Sequence, residues 1–192
     1  MRAHSDSELF VIRHEKTSTH QHYDIAEAGA LYFDVAQALQ KHGLQFHVNT
    51  EIGSLSMGSG ACCGTKEASV PGGFGQVCSC AIAMKMVTPA GVIVEVTEEQ
   101  PELLQAMRSS YGLFGIVYEV TFRVKSLQPM AVHHKTYRLN AFERELPGLQ
   151  ARGDSIMMYI HLFSNKMTVE FRRYRDDQAP PKGGNGLDHR GR

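Results

Sequence analysis

The sequence has the length and composition of an ordinary globular chain without net charge. It contains 192 residues, of which 42% are apolar and 21% charged, and lysine plus arginine equals aspartate plus glutamate at 20 each. A chain of this length can bury one sizeable core. Because its formal charges cancel, it has no general attraction for nucleic acid or for an acidic membrane surface, and we expect neither as a partner.

The sequence also shows no membrane or secretion signal. No apolar run approaches the roughly 18 residues that suggest a membrane span. The polar opening MRAHSDSE lacks the apolar segment of a secretory signal. We therefore expect no membrane span and a cytoplasmic location.

Two short strands and an amphipathic helix are predicted first along the chain. The runs LFVIR and YDIAEAG are strand-like and are separated by the polar stretch HEKTSTHQH. In GALYFDVAQALQKHG, Leu31, Val35 and Leu39 are spaced four apart on one helical face, and Gly43 is placed to end the helix in a left-handed conformation. This pattern predicts a helix packed on a sheet.

A hairpin, a second helix and a long strand are predicted after a glycine-rich stretch. Apolar residues alternate in AIAMKMV and in VIVEV, and the turn sequence PAG lies between them. Thr97 and Gln100 have the spacing of a capping box, which predicts a helix over about residues 98–110. From Ile116 to Val124 apolar and polar residues alternate, as in a strand with one buried face.

The pattern changes near residue 128, where we place a domain boundary. A strand KTYRL, a helix that opens at Asn140 and a hairpin of SIMMYIHLF and MTVEFRRY, turning at Asn165-Lys166, are predicted beyond it. The final stretch RDDQAPPKGGNGLDHRGR has one aliphatic residue, two prolines and four glycines, so it cannot bury enough surface to order itself. We predict a disordered tail over residues 175–192.

The cysteines and histidines do not predict a metal site. Cys62, Cys63, Cys78 and Cys80 occur as C-C and C-x-C, whereas structural zinc sites usually combine C-x-x-C pairs. Residues this close in sequence rarely form a relaxed disulfide, so we interpret them as small, buried, reduced thiols. A thiol redox sensor at Cys62 and Cys63 is a weaker alternative. The histidine pairs lack the i, i+4 spacing of a helical metal face.

The stretch GSLSMGSGACCGTKEASVPGGFGQ, residues 53–76, contains seven of the 18 glycines. It has one residue too many between Gly58 and Gly64 for the dinucleotide motif G-x-G-x-x-G, and Thr65-Lys66 reverses the order of the P-loop. We predict a loop here, so that a phosphate would have no helix N-terminus to sit on. Two interpretations remain open: a bare main chain against which a flat, extended ligand lies, or a tight connecting turn.

Four motifs in order carry a resemblance to a known family. They are GALYFDVAQALQKHGL, SLSMGSGACCGT, GQVCSCAIAMKMVTPAGVIVEVT and LLQAMRSSYGLFGIVYEVTFRV, within about residues 23–127. Together they resemble the FAD-binding domain of the vanillyl-alcohol-oxidase (PCMH-type) flavin oxidoreductases. The resemblance implies an α+β fold: the second subdomain of a PCMH-type FAD-binding domain, with a mixed or antiparallel sheet and flanking helices, followed by the start of an α+β substrate domain.

The resemblance also implies which residues bind FAD. Matched by position, they belong to the segment that runs along the cofactor, to its A-T-G-T continuation and to the start of the F-G-I-V strand: Ser56, Gly58, Ser59, Gly60, Cys63, Gly64, Thr65, Gly115, Ile116 and Val117. Lys66 stands where family members often have histidine. For the last three candidates, a core strand behind a glycine turn is an equally good explanation.

Part of the family pattern has no counterpart in this sequence. The opening MRAHSDSELFVIRHEKTSTHQH contains no glycine, so it cannot supply the family's glycine-rich loop around the pyrophosphate. We therefore expect an incomplete chain: the C-terminal part of a PCMH-type FAD-binding domain at 8–127, the start of a substrate domain at 128–174 and the tail at 175–192. The face left open by the missing subdomain would be apolar, which predicts self-association.

The leading hypothesis is an FAD-dependent oxidoreductase, a flavin-linked oxidase or dehydrogenase of a small organic donor, present as a partial chain. Such chemistry needs an acid or base near the reacting carbon. Tyr159, His161 and Arg172 are predicted to project from the late hairpin, but polar side chains that face solvent explain them more simply. The catalytic residues therefore stay unknown. The alternative is a non-catalytic remnant or interaction module that lacks bound flavin.

Overall fold

The structure, a computed structural model, describes residues 12–16, 22–65, 67 and 74–175. Lys66 and the predicted tail beyond residue 175 lie outside the described residues. The chain divides into two compact units, one ending at Leu127 and the other starting at Gln128. All strand pairs that the structure describes are antiparallel, in agreement with the predicted α+β class.

In its described residues, the first unit contains a six-stranded sheet and three helices. Its elements are β1 (Ile12–Lys16), β2 (His22–Glu27), α1 (Tyr32–Lys41), β3 (Leu44–Phe46), α2 (Met57–Cys62), a 3-10 turn (Val77–Cys80), β4 (Ala81–Val87), β5 (Ile93–Thr97), α3 (Pro101–Met107) and β6 (Ile116–Ser126). The strand order is β1-β2-β6-β4-β5, and β3 also pairs with β6. β6, the last strand of this unit along the chain, is therefore the central strand of its sheet.

Helix α1 packs on this sheet much as its spacing predicts. Val35 and Leu39 are buried, and Gly43 follows with φ +68°, the left-handed conformation expected after the helix. Leu31 is an exception, because it is the N-cap and is 39% exposed. Tyr32 takes its place in the core, where its ring stacks on Phe46 with 4.2 Å between centroids.

Helix α3 is shorter than the predicted 98–110. The main-chain N–H of Thr97 donates to Oε1 of Gln100 at 3.3 Å, which is half of the expected capping box. The helix nevertheless begins only at Pro101, whose fixed φ suits a first helical position. It ends at Met107 because Arg108 adopts an extended conformation.

Strand β6 is buried on one face over only part of its length. Val120, Phe122 and Val124 lie in the core, as the alternation predicts, but Ile116 is 75% exposed and Tyr118 39%. The beginning of β6 thus presents apolar side chains at the surface. The candidate functional site lies beside this part of the strand.

The second unit is a three-stranded sheet with one helix. Its elements are β7 (Met130–Arg138), α4 (Leu139–Gln150), β8 (Ser155–His161) and β9 (Lys166–Tyr174), in the strand order β7-β9-β8. The buried cluster that includes residues of α4 and of one sheet face consists of Tyr137, Phe142, Leu149, Met167, Val169 and Phe171. Alternate residues of β9, such as Glu170 and Arg172, therefore project from the opposite face.

Candidate functional site

A cleft of about 330 Å³ opens beside the start of β6. One wall is α2 together with the residue that follows it, and the other is the loop before β6 and the first residues of that strand. Three of the lining residues are glycines, and the walls also carry apolar side chains, a hydroxyl and two thiols. The lining residues are Gly58, Ser59, Cys62, Cys63, Tyr111, Gly112, Gly115, Ile116 and Val117.

The prediction of a loop over the glycine-rich segment is wrong for residues 57–62, which form α2. The Ser56 side chain caps this helix by accepting a hydrogen bond from the Ser59 N–H at 3.2 Å. The N–H groups of Met57 and Gly58 donate to the main-chain carbonyls of Ala30 and Ala28, both at 2.8 Å. The first turn of α2 is thus anchored to the chain that follows β2.

The glycines of α2 allow a close approach between protein segments. A Cβ added at Gly58 would lie 2.9 Å from Cβ of Ala28 and 3.1 Å from its carbonyl oxygen. A Cβ added at Gly60, which is buried, would lie 3.1 Å from Val77. Gly58 and Gly60 therefore allow α2 to pack closely against the rest of the unit. Sequence reasoning had assigned both glycines to contact with a ligand.

The opposite wall is held by hydrogen bonds to the end of α2 and to β4. The N–H of Tyr111 donates to the Cys62 carbonyl at 2.8 Å. The Arg108 side chain donates through Nε to the Ala81 carbonyl at 3.0 Å. Ser109 and Tyr111 have φ of 62° and 54°, conformations that non-glycine residues rarely adopt. Such backbone persists only where surrounding contacts enforce it, often beside functional sites.

Gly115 joins this loop to β6 under a severe steric constraint. Its φ is +151°, and a Cβ at this position would lie 2.3 Å from the carbonyl oxygen of Val87. No other residue fits this conformation and this space. The glycine thereby lets the chain enter β6 directly alongside β4.

Three of the four cysteines are buried, as the sequence predicts, whereas Cys63 is partly exposed and lines the cleft. Cys62, Cys78 and Cys80 are buried and all four cysteines are free. Burial raises the pKa of the Cys62 thiol, and it raises that of Cys80 to about 12. Because the thiolate is the reactive form, these two residues are poor redox nucleophiles. Among the described residues, no group of three or more metal-ligating side chains is placed to hold an ion.

Six of the ten predicted cofactor residues line the cleft: Gly58, Ser59, Cys63, Gly115, Ile116 and Val117. Ser56 instead caps α2, Gly60 is buried within that helix, and Gly64 and Thr65 follow the helix without lining the cleft. Sequence reasoning missed Cys62, Tyr111 and Gly112. The available signal was the pair Tyr111-Gly112, which only Leu113 separates from the F-G-I-V motif.

The three polar candidates of the late hairpin belong to the second unit. Tyr159 pairs with Thr168, and His161 Nε2 lies 2.9 Å from the Thr168 hydroxyl, on the sheet face opposite Val169. Arg172 is hydrogen-bonded to Glu170, whose other carboxylate oxygen lies 2.7 Å from His134 Nε2. Burial tends to raise the pKa of Glu170, but the hydrogen bonds from Arg172 and His134 outweigh it and hold the pKa below its usual value.

Comparisons with known proteins confirm the resemblance to FAD-linked oxidases that the motifs predict. The chain is 27% identical over 147 residues to an FAD-linked oxidoreductase of Aspergillus fumigatus. That alignment covers 72% of this chain and 28% of the relative, so the chain spans little more than a quarter of that protein. No protein-family model matches the sequence.

The fold of the chain matches part of several solved structures. BBE-like 1 of Physcomitrella patens matches with a TM-score of 0.66 and 19% identity, over 83% of this chain and 36% of that one. The cholesterol oxidase from B. sterolicum matches with a TM-score of 0.68 and 17% identity, over 85% and 34%. No helix in the described part of the chain is long and apolar enough to cross a membrane.

Proposed function

We propose that this chain is part of an FAD-dependent oxidoreductase and that the cleft beside β6 holds a portion of the cofactor. The observation that carries the proposal is the cleft itself. It opens where two motifs of the family resemblance, SLSMGSGACCGT and the start of FGIV, meet in space. The relationship to an FAD-linked oxidoreductase supports the same assignment.

The cleft has the mixed lining of a ligand site. Its walls combine the apolar residues Ile116 and Val117 with Ser59, which carries a hydroxyl, and with Gly112, which has no side chain to cover its main chain. Ligand pockets of this kind are mostly apolar, with a few placed polar groups. A volume of about 330 Å³ lies at the small end of ligand cavities, so the cleft takes only part of a molecule as large as FAD.

Within this assignment the lining residues bind and orient the ring system. Ile116 and Val117 line one side of it, and Tyr111 contributes from the loop before β6. Ser59, whose Oγ lies 2.9 Å from Oγ of Ser56, offers its hydroxyl to a polar edge. When FAD is bound, it supplies the hydride chemistry, and the protein supplies binding and orientation.

The domain assignments follow from the same proposal. Residues 8–127 form the C-terminal part of a PCMH-type FAD-binding domain, and residues 128–174 begin the substrate domain. The substrate is a small organic molecule, and its catalytic acid or base is unassigned. Leu113 is 85% exposed and Phe114 40%, next to Ile116, and we include self-association through this apolar rim in the proposal.

FAD titration of the purified chain tests the proposal. We expect a saturable change in flavin absorbance and fluorescence. Because the cleft encloses only part of the cofactor, the dissociation constant should lie roughly in the micromolar range or above. Sedimentation of the same samples reports self-association.

Each result has a defined meaning. Saturable FAD binding that weakens when Ile116 becomes charged supports the assignment of the cleft. Absence of saturable binding, together with concentration-dependent association, supports the alternative of a non-catalytic interaction module and contradicts the flavin assignment.

A further inference from the structure

A second cavity, of about 430 Å³, lies entirely within the second unit. It is bordered by the segment between α4 and β8, by the first residues of β7 and by the last residues of β9. Its lining residues are Ala131, His133, Arg152, Asp154, Phe171, Arg172 and Arg173. Three arginines and a histidine thus line it together with a single carboxylate.

Asp154 holds two of these arginines at the mouth of the cavity. Its Oδ1 accepts a hydrogen bond from Arg173 Nε at 2.6 Å, and its Oδ2 lies 3.3 Å from Arg152 Nη2. The Asp154 side chain is only 3% exposed, whereas those of Arg152 and Arg173 are 48% and 61% exposed. A buried carboxylate therefore orients two guanidinium groups that face outward.

The charges around the cavity do not cancel. Glu170 is hydrogen-bonded to Arg172, so this pair contributes no net charge. Asp154 balances only one of the remaining two guanidinium groups. Arg173 donates a hydrogen bond to Asp154 through Nε, and Arg152 forms an ion pair with the same carboxylate through Nη2. Their other N–H groups are available to a ligand.

The base of the cavity is an aromatic stack that limits the movement of Arg152. The His133 ring lies parallel to Phe171, with 4.8 Å between centroids and an interplanar angle of 12°. The Arg152 guanidinium lies 5.4 Å from the centroid of the same phenylalanine. Cation–π contact and the Asp154 carboxylate together position Arg152 before any ligand arrives.

We propose that this cavity is a binding site for a phosphate group, either free or as the ester of a small molecule. Two guanidinium groups, one from the turn after α4 and one from β9, present N–H donors to several oxygens of a tetrahedral anion at once. Their surplus charge favours a dianion. The volume leaves space for an organic group next to the phosphate. This site shares no residue with the cleft beside β6, since all its lining residues belong to the second unit.

Calorimetric titration of the full chain with phenyl phosphate, inorganic phosphate and acetate tests the proposal. We expect saturable binding of at least one phosphate probe, and acetate should bind more weakly. Arg152→Gln should weaken phosphate binding roughly tenfold or more, because a hydrogen bond to a charged group is lost. This variant leaves the Arg173–Asp154 pair intact, so the fold should be retained, as circular dichroism would show.

Arg144→Gln is the matched control, because Arg144 is exposed on α4 and does not line the cavity. Tighter binding of phenyl phosphate than of inorganic phosphate identifies an ester as the ligand, and equal binding identifies free phosphate. The proposal is wrong if neither probe saturates, if acetate binds as tightly, or if Arg144→Gln weakens binding as much as Arg152→Gln. FAD titration of Arg152→Gln should match the wild type, which keeps this test independent of the flavin assignment.

Discussion

The main-chain carbonyl of Cys62 accepts a hydrogen bond of 2.8 Å from the N–H of Tyr111. This bond joins the last residue of α2 to the loop that leads into β6, so the two walls of the cleft beside β6 are hydrogen-bonded to each other. The Ser109 N–H adds a longer bond of 3.4 Å to the carbonyl of Ala61. A site whose walls are fixed before binding loses less entropy when the ligand is ordered.

Gly115→Ala should destabilise the first unit strongly. The added Cβ would lie 2.3 Å from the Val87 carbonyl oxygen, and φ of +151° is a conformation that alanine rarely adopts. We expect a loss of roughly 3 kcal/mol or more in the free energy of unfolding, measured by urea denaturation. Gly75→Ala is the control, because a Cβ there has no neighbour within 4 Å. Equal stability of the two variants would contradict this role of Gly115.

Gly58→Ala should also destabilise, although alanine normally favours a helix. The clash with Ala28, 2.9 Å from the added Cβ, opposes a propensity gain of about 1 kcal/mol. In the double variant Gly58→Ala/Ala28→Gly the nearest contact is removed, and part of the stability should return. At Gly148 in α4 a Cβ meets nothing within 4 Å, so Gly148→Ala should be neutral or stabilising. If the stability changes of Gly58→Ala and Ala28→Gly simply add in the double variant, the contact between these two positions is not the cause.

Ile116→Glu should weaken flavin binding without unfolding the protein. Ile116 is 75% exposed, so the charge stays hydrated in the folded chain, and surface changes usually alter stability by about 0.5 kcal/mol or less. In the cleft, however, the carboxylate would meet the flavin ring. Ile93→Glu is matched, because Ile93 is 66% exposed on β5 and does not line the cleft. Equal FAD affinity of both variants would place the flavin elsewhere.

Asp24 should make the protein less stable as the pH rises. It is 1% exposed beside Phe122, and neither carboxylate oxygen has a hydrogen-bond partner among the described residues. Burial raises its pKa from 3.8 to about 7. Because the folded state favours the protonated carboxyl, ionising Asp24 lowers the free energy of unfolding. This loss of stability is absent below the pKa of the unfolded state, grows as the pH rises above that value and is complete above the pKa of the folded state. A shift of this size corresponds to about 4 kcal/mol.

Urea denaturation at several pH values between about 4 and 8 measures this effect. In Asp24→Asn the free energy of unfolding should fall less as the pH rises, and this variant should be more stable than the wild type at the highest pH. Asp34→Asn removes an exposed carboxylate from α1 and should leave the decline unchanged. If the wild type and Asp24→Asn show the same pH dependence, Asp24 is not the group responsible.

The sequence predicts those elements whose apolar pattern is regular and whose ends are marked by turn residues. The hairpin of β4 and β5 and the end of α1 at Gly43 are of this kind. Helix α2 was missed because glycine and serine have low helix propensity, and what stabilises it is tertiary: carbonyls of Ala28 and Ala30 bind its first N–H groups. Such contacts cannot be read from local sequence.

The same limit applies to the cleft. The family motifs indicate Gly115 and Ser59, which are far apart in the sequence, and the structure brings both to one cleft. Tyr111 was missed because a positive φ at tyrosine has no sequence signal. The exposure of Ile116 was also missed, because a register shift between Glu119 and Val117 in the β4–β6 pairing breaks the alternation, so that Val117 packs against the core and Ile116 is exposed.

The central position of β6 has a consequence for biosynthesis. β2, β3 and β4 all pair with this strand, yet it is the last element of its unit to leave the ribosome. Until Ser126 has emerged, the earlier strands lack their principal partner, and their apolar faces remain open to chaperones. Pairings between strands this far apart in the sequence form slowly. The yield of folded protein in cells should therefore increase when chaperone levels are raised.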